Sequence, residues 1–306
     1  MSIFTIKLIA MIAMLGDHIG HVFGRWGLLP FSSFPLRWVG RLSFPIYAFC
    51  IINGWQHTRD KKKYLKNLLL CAIASQIPFS LAFYTPNLQP IGMLGDAFRF
   101  IFAPIYLLPA AVMLLTYWYF MLEKKADKSL ILVGIVSLLP GVFWKFAEMT
   151  LIGDKLNVLY TLALGLILIS ILEKLRECRL LWWENLWLIA AGALAIYAYG
   201  INADYGVSFM GLTLIFALYL LRNQRLLQSG FIVLWGYFYH YMILGNGPYA
   251  SAMFIPAILL LLYNNQPGWN NQTAKRLFYW FYPAHLLLIG LCNVILRHGL
   301  FYLFIA

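Results

Sequence analysis

Long apolar runs, rather than alternating polar and apolar positions, dominate this sequence. A run of about 20 apolar residues forms an α-helix that crosses a hydrocarbon core of ~30 Å. Runs of this kind, some of them shorter, predict about eleven membrane helices. They lie at residues 4–24, 36–56, 65–84, 100–121, 129–149, 156–173, 183–200, 206–221, 230–245, 249–263 and 277–297. The pattern therefore predicts an all-α fold, a polytopic integral membrane bundle of about 10–11 transmembrane helices in a single domain over residues 1–306.

Two of the predicted helices, at 230–245 and 249–263, are short and are separated by the sequence GNGPY. They could form one broken or re-entrant pair, which a bilayer tolerates only where protein or a water-filled cavity covers the freed backbone groups.

At the start of the chain, the first apolar run lacks a basic leader beyond Lys7 and a small-residue cleavage site. We expect this run to remain as the first membrane helix.

Composition supports the membrane assignment, and the distribution of charge orients the chain. Of 306 residues, 62% are hydrophobic and 11% are charged, against roughly 25% charged in a soluble domain. Most Lys and Arg residues fall in the loops 57–66, 123–128, 173–179, 222–225 and 274–276. The positive-inside rule places these loops, and the N-terminus, in the cytoplasm. Attraction to anionic membrane lipid explains the net charge of +12, so no nucleic-acid partner is expected.

The segment MLGDHIGHVF (14–23) places three ionisable side chains, Asp17, His18 and His21, inside the first apolar run. An Asp near the centre of a membrane helix costs about 2.5–3.5 kcal/mol on insertion scales, and such groups usually face a cavity and mark function. Asp17 and His21 are four residues apart and share a helix face, with His18 about 100° round from Asp17. The alternative for each histidine is a buried side chain that bonds a backbone carbonyl or a neighbouring helix.

The second predicted span begins LRWVGRLSFPIYAF, with Arg37 and Arg41 four residues apart on one face. Gly40 allows a close approach by another helix, and Pro45 predicts a kink. The two arginines could extend to lipid phosphate, or Arg41 could reach inward to an acyl carbonyl, a phosphate or a carboxylate. At the far end, His57 opens a basic stretch that either anchors the inner face or receives a phosphorylated cytoplasmic cosubstrate.

Four further polar residues lie in or beside later spans. Asn157 and Thr161 share a helix face, although polar residues in a span often contribute only interhelical hydrogen bonds of ~0.6 kcal/mol. Asp204 stands at the mouth of a span, where it could cap the next helix. His285 follows Pro283 in the last long span, well within the apolar layer.

Five sequence blocks together resemble the TraX family, membrane proteins associated with N-acetylation of conjugative pilin. The blocks are KLIAMIAMLGDHIGHVF, LRWVGRLSFPIYAFCIINGWQHTRDKKKYLKNLLLCAIASQIPFSL, LNVLYTLALGL, ADYGVSFMGL and FYWFYPAHLLLIGL. The resemblance implies membership of a wider group of transmembrane acyltransferases. It also implies a multi-pass protein of the bacterial inner (cytoplasmic) membrane. Residues 85–150 match least distinctively.

The same resemblance implies the substrates and the site. Acetyl-CoA (acyl-CoA) would be the cytoplasmic cosubstrate, and the extracytoplasmic acceptor would be a pilin, another peptide, a glycan or a lipid. His18 corresponds to the family's intramembrane catalytic histidine, the general base, with Asp17 and Arg41 beside it. Candidate substrate-binding or cofactor-binding residues are Arg37, His21, His57, Asn157, Asp204 and His285. No metal is expected, since the four cysteines form no CxxC pair.

The residue types suit acyl transfer, in which a neutral histidine removes a proton from the attacking amine or hydroxyl. Arg41 could stabilise the oxyanion or hold a phosphate or the pantetheine arm. One alternative is a proton-coupled secondary transporter with Asp17, His18 and His285 as a relay, although the sequence shows no two matching halves. A non-catalytic assembly or scaffold role is another alternative.

Overall fold

The regular secondary structure of this protein is helical in every part of the chain that the structure describes. A computed structural model describes residues 1–83, 156–177, 204–205 and 210–305. The all-α prediction is confirmed for these residues. The predicted spans 100–121, 129–149 and 183–200 lie outside them.

The helices of the described chain differ widely in length. In order they are α1 (Ile3–Arg25), α2 (Phe34–Gly40), α3 (Ser43–His57), α4 (Lys61–Phe83), α5 (Val158–Glu177), α6 (Met210–Leu220), α7 (Arg225–Tyr237), α8 (Phe254–Leu261) and α9 (Gln272–Ile305). Three of them, α1, α4 and the part of α9 up to Leu296, are long and apolar enough to cross a membrane. These agree with the predicted spans 4–24, 65–84 and 277–297, and the chain is an all-α membrane bundle.

The predicted span 36–56 is two helices, because α2 ends at Gly40 and α3 begins at Ser43. A proline inside a helix lacks a backbone donor, and its ring clashes with the carbonyl four residues earlier. The break between the helices lies at Arg41 and Leu42, so Pro45 falls in the first turn of α3, where no donor is needed. Sequence analysis predicted a kink at Pro45 itself. The structure instead has a break between two helices about one turn before this proline.

The short predicted helices 230–245 and 249–263 form a helical hairpin with irregular ends that meet at the turn. A π-helical segment, Phe238–Ile243, extends α7, and a 3₁₀ segment, Gly247–Met253, precedes α8. Gly245 reverses the chain with a φ of +64°, a conformation that favours glycine. The backbone amide of Asn246 donates to the carbonyl of His240 at 2.7 Å. The turn thus forms backbone hydrogen bonds within the hairpin itself.

The chain divides into two compact units. The first contains Met1–Gln56, Pro78–Phe83 and Leu214–Ala306, and the second contains His57–Ile77 and Tyr84–Thr213. Within the first unit, α1 packs on α2 and α9, and α7 packs on α8. The candidate residues are described below unit by unit.

Candidate functional site

A buried pair of histidines joins α1 to α9 in the first unit. His18 Nδ1 lies 2.8 Å from His285 Nε2, and the two rings are nearly parallel, with an interplanar angle of 7°. His18 is 9% exposed and His285 is 5% exposed. The ring of Phe83 packs edge-on against His18 at a centroid distance of 5.0 Å. His18 and His285, which sequence analysis placed within apolar spans, are therefore direct partners.

The hydrogen bonds of the pair determine which nitrogens carry protons when both rings are neutral. His285 Nδ1 lies 2.7 Å from the carbonyl oxygen of Phe281, which only accepts, so this nitrogen donates. His285 Nε2 must then accept, and His18 Nδ1 donates to it. The lone pair of His18 remains on Nε2, and no hydrogen bond to this atom comes from the described residues. His18 thus has an interhelical partner at one nitrogen and a basic nitrogen at the other.

Asp17 pairs with arginines of the segment that follows α1. Its Oδ1 lies 2.8 Å from Arg41 Nη2 and 3.7 Å from Arg37 Nε. Gly40 packs so closely on Asp17 that a Cβ at this glycine would overlap the Asp17 side chain. The three charged side chains are 15–24% exposed, so water screens them only partly. Within the described chain, no hydrogen bond joins Asp17 to His18 or His285.

His21 lies between two guanidinium groups. Its Nε2 is 2.7 Å from Arg25 Nη2, and its Nδ1 contacts Arg37 Nη1. A neutral imidazole has one acceptor nitrogen, and arginine only donates, so one of these contacts is a hydrogen bond and the other is not. We call Asp17, His21, Arg25, Arg37 and Arg41 the arginine cluster. It contains three guanidinium groups and one carboxylate, Asp17, which pairs with Arg37 and Arg41, so the cluster is a cationic site.

Sequence analysis missed His240, which lies in the π-helical segment. This residue is 1% exposed, and neither ring nitrogen has a hydrogen-bond partner among the described residues. The rings of Tyr239 and Tyr249 surround it at centroid distances of 5.0 and 6.1 Å. The guanidinium carbon of Arg41 lies 5.6 Å from the Tyr249 ring. The only sequence signal was one histidine in the aromatic run YFYHYM.

In the second unit, Asn157 has a structural set of hydrogen bonds. Its side-chain amide donates to the Ala72 carbonyl at 2.8 Å and to Gln76 Oε1 at 2.9 Å. Its side-chain oxygen accepts from the Leu159 backbone amide at 3.1 Å, at the start of α5. Asn157 is fully buried. These contacts join α4 to α5 and occupy the polar atoms of the side chain.

Asp204 and His57 are also in the second unit. The Asp204 backbone amide donates to the Leu156 carbonyl at 2.9 Å, and its carbonyl accepts from the Thr161 hydroxyl at 2.5 Å. His57 is exposed at the end of α3. In the basic stretch that follows it, Lys61 Nζ pairs with Glu173 Oε2 at 2.8 Å.

In the part of the chain that the structure describes, no group of three or more His, Cys, Asp or Glu residues could hold a metal ion. His18, His285 and Asp17 are instead paired with other side chains or with a backbone carbonyl. The arrangement in the first unit therefore offers an acceptor nitrogen on the buried imidazole of His18 and a cationic cluster.

Comparison with known proteins identifies the family. A stretch of 78 residues is 40% identical to a Dichelobacter nodosus protein described as "Probable fimbrial assembly protein FimC, serogroup H1". The match covers 26% of this chain and 31% of that protein, so it spans about a third of the relative's length. No solved structure matches the chain significantly. The sequence profile of the family described as TraX protein matches residues 2–95 and 99–293. Since this profile covers most of the sequence, the chain belongs to the TraX family.

Proposed function

We propose that this protein is a membrane-embedded acetyltransferase. It moves an acetyl group from cytoplasmic acetyl-CoA to the amine of an extracytoplasmic acceptor such as a pilin. The observation that carries the proposal is the His18–His285 pair, which leaves a basic nitrogen on a buried imidazole. TraX family membership and the fimbrial name of the relative support a role with pilin.

His18 acts as the general base. Its Nε2 takes a proton from the acceptor amine as the amine nitrogen attacks the thioester carbonyl, and a C–N bond forms. The tetrahedral intermediate then collapses, the C–S bond breaks, and the CoA sulfur takes the proton back from His18. The products are the acetylated amine and free CoA. General base catalysis of this kind contributes about 10²–10⁴-fold to a rate.

His285 serves as a positioning residue for His18. The bond from His285 Nδ1 to the Phe281 carbonyl fixes the proton on His285. The second bond then fixes the tautomer and the ring orientation of His18. In a serine protease, a carboxylate orients the catalytic histidine in this way. In this protein, the imidazole of His285 has that role.

Arg41 supplies positive charge for the oxyanion of the intermediate. One donor at such a site is worth about 3–4 kcal/mol. Asp17 holds the Arg41 guanidinium at 2.8 Å, and Gly40 lets the two elements approach closely enough for this pair. Arg37 and His21 complete the cationic surroundings. The same residues would attract an anionic group of either substrate.

Acetyl-CoA would meet the protein at the cytoplasmic face of the bacterial inner membrane. The basic stretch 57–66 contains exposed His57, Arg59, Lys62 and Lys63. Lysine and arginine both pair with phosphate, and arginine can do so with two parallel hydrogen bonds. Lys61 contributes less, because Glu173 already neutralises it. We therefore assign the phosphates of CoA to this stretch.

The decisive experiment measures thiol release from acetyl-CoA by the full-length protein in nanodiscs, with an amine acceptor present. The wild type should release thiol and acetylate the amine, and His18→Ala should lower the rate by about 10²–10⁴-fold. Ile12→Ala, a change at an exposed position of the same helix, should keep the wild-type rate. A His18→Ala variant that is folded and fully active would exclude His18 as the base.

Proton-coupled transport is the second candidate, and the hydrogen bond between His18 and His285 is the observation that favours it. The wider relay that includes Asp17 lacks a connection in the described chain, because this carboxylate pairs with Arg41. Proton uptake into proteoliposomes without thiol release would favour the transporter. Thiol release that needs no proton gradient would favour the enzyme.

A further inference from the structure

Arg25 is the member of the arginine cluster that the proposed chemistry does not use. It is the last residue of α1, and its Nη2 lies 2.7 Å from His21 Nε2. No carboxylate of the described chain pairs with it, since Asp17 pairs with Arg37 and Arg41. Arg37 contacts the other nitrogen of His21, which can accept from only one of the two guanidinium groups. An anion beside Arg25 and Arg37 would compensate these positive charges.

The chain turns sharply directly after Arg25. The backbone amide of Gly27 donates to the Gly24 carbonyl at 3.2 Å, and that of Leu28 donates to the Phe23 carbonyl at 3.1 Å. Gly27 has a φ of +65°, in the left-handed region that favours glycine. These two bonds form a Schellman motif, a common ending of α-helices. The loop that follows α1 is thus held next to Arg25.

The loop between α1 and α2 is apolar and exposed. Residues 26–36, WGLLPFSSFPL, contain no charged side chain. The exposed large hydrophobic side chains of this stretch are Leu28, Phe31 and Phe34. A group of exposed apolar side chains beside polar ones indicates a protein or membrane interaction site. Here the neighbouring polar group is the arginine cluster.

Aromatic side chains at the same end of the first unit indicate the level of the membrane–water interface. The ring of Phe34 lies 5.2 Å from that of Tyr249, and Trp38 Nε1 donates to Ser251 Oγ at 3.0 Å. Tyrosine and tryptophan concentrate at membrane interfaces. The 23 residues of α1 cover about 35 Å, enough to cross a hydrocarbon core of ~30 Å. Arg25 and the loop after it therefore lie at the level of the lipid headgroups.

We propose that Arg25 and Arg37 bind the phosphate of an anionic phospholipid, whose glycerol backbone and upper acyl chains contact the apolar loop between α1 and α2. The inference does not depend on acetyl transfer. Arginine pairs with phosphate through two parallel hydrogen bonds, and the phosphate adds the negative charge that the cluster lacks. A zwitterionic lipid carries a cation that compensates its own phosphate, so an anionic lipid is favoured.

The apolar loop separates a lipid from a soluble phosphate as the ligand. A soluble phosphate would offer the same charge but would make no contact with Leu28 and Phe31. The positive-inside rule places this end of α1 away from the cytoplasm, so the lipid belongs to the outer leaflet. An arginine at a helix end can also interact with the helix dipole or extend to the bilayer surface without a specific ligand. Such an arginine would select anionic lipid no better than any other basic residue at the interface.

The test measures lipid retention by native mass spectrometry. The full-length protein is released from micelles that contain equal amounts of phosphatidylglycerol and phosphatidylcholine with identical acyl chains. The wild type should retain phosphatidylglycerol about tenfold more often, the size of one charge-assisted hydrogen bond. Arg25→Gln, which keeps a donor but removes the charge, should nearly abolish this preference. Equal retention of the two lipids by the wild type would overturn the proposal.

Lys275→Gln is the matched control, because it removes one exposed positive charge from the first turn of α9. It should keep the wild-type preference, and an equal loss in Lys275→Gln and Arg25→Gln would overturn the site. If Arg25→Gln does not fold, Arg25→Lys decides, because lysine keeps the charge but loses the paired hydrogen bonds. Its preference should fall severalfold, and a wild-type preference in Arg25→Lys would then count against the site.

Two further measurements test whether the ligand is a lipid. Phe31→Ser should lower the retention of both phospholipids without changing their ratio, because it removes apolar contact and no charge. Glycerol 3-phosphate in excess should leave phosphatidylglycerol bound to the wild type. Unchanged retention in Phe31→Ser would overturn the lipid assignment, and displacement by glycerol 3-phosphate would assign the site to a soluble phosphate instead.

Discussion

Asp17 Oδ1 lies 2.8 Å from Nη2 of Arg41, while the adjacent His18 bonds to His285 at the opposite end of the chain. Two neighbouring ionisable residues of α1 therefore belong to different groups of partners. Asp17 neutralises and positions arginines, and His18 receives its orientation from another imidazole. The orientation of the proposed base, His18, thus depends on His285, and the position of the proposed oxyanion group, Arg41, depends on Asp17. Both interactions involve residues of α1.

We expect Asp17→Asn to destabilise the protein by about 1–3 kcal/mol, because it leaves two partly buried guanidinium groups without their carboxylate. The free energy of unfolding in detergent is the measurement. Glu173→Gln is the control, since its partner Lys61 is 43% exposed and an exposed pair contributes about 0–1 kcal/mol. Equal effects of the two substitutions would show that Asp17 has no special structural role.

We expect His285→Phe to lower the acetyl-transfer rate by about 10²-fold or more, because His18 loses the acceptor that fixes its tautomer. His285→Gln should retain part of the rate, since its side-chain oxygen can accept from His18 Nδ1. Single-turnover thiol release measures both. A wild-type rate in a folded His285→Phe protein would contradict the assigned role.

Gly40→Ala should destabilise the protein by about 1–3 kcal/mol, because the new methyl group overlaps Asp17 and forces α1 and α2 apart. Gly230→Ala is the matched control. It makes the same substitution in α7, where no atom lies within 4 Å of the added Cβ. That control should be neutral or slightly stabilising, because alanine favours the helix over glycine by about 1 kcal/mol. Thermal unfolding of both variants decides, and a neutral Gly40→Ala would mean that the helices separate at no cost.

Asn157→Leu separates a structural role from the binding role implied by the family resemblance. It removes the donor to the Ala72 carbonyl and the side-chain donor to Gln76 Oε1, which keeps the backbone amide of residue 157 as a donor, so we expect a loss of about 1–3 kcal/mol of stability. The KM for acetyl-CoA of the folded protein should stay near the wild-type value. A large increase in that KM with little change in stability would support a binding residue instead.

Sequence analysis predicted α1, α4 and the apolar part of α9 closely, because long apolar runs determine such helices. It also placed Arg37 and Arg41 correctly on one face, and they share Asp17. The break at Arg41 was missed because Pro45 predicts that the helix is interrupted but does not specify the residue at which the preceding helix ends. His240 was missed because a histidine in an aromatic run has no distinctive spacing, and its burial depends on a hairpin partner.

The partnership of His18 and His285 has a consequence for synthesis. The two residues are 267 positions apart, and a ribosome adding about 5–20 residues each second needs roughly 13–50 s to make that length of chain. During this interval the first helix carries an imidazole that nothing has yet aligned. A nascent chain stalled before its last helix should therefore be inert, and the protein should become active only when its final segment enters the bilayer.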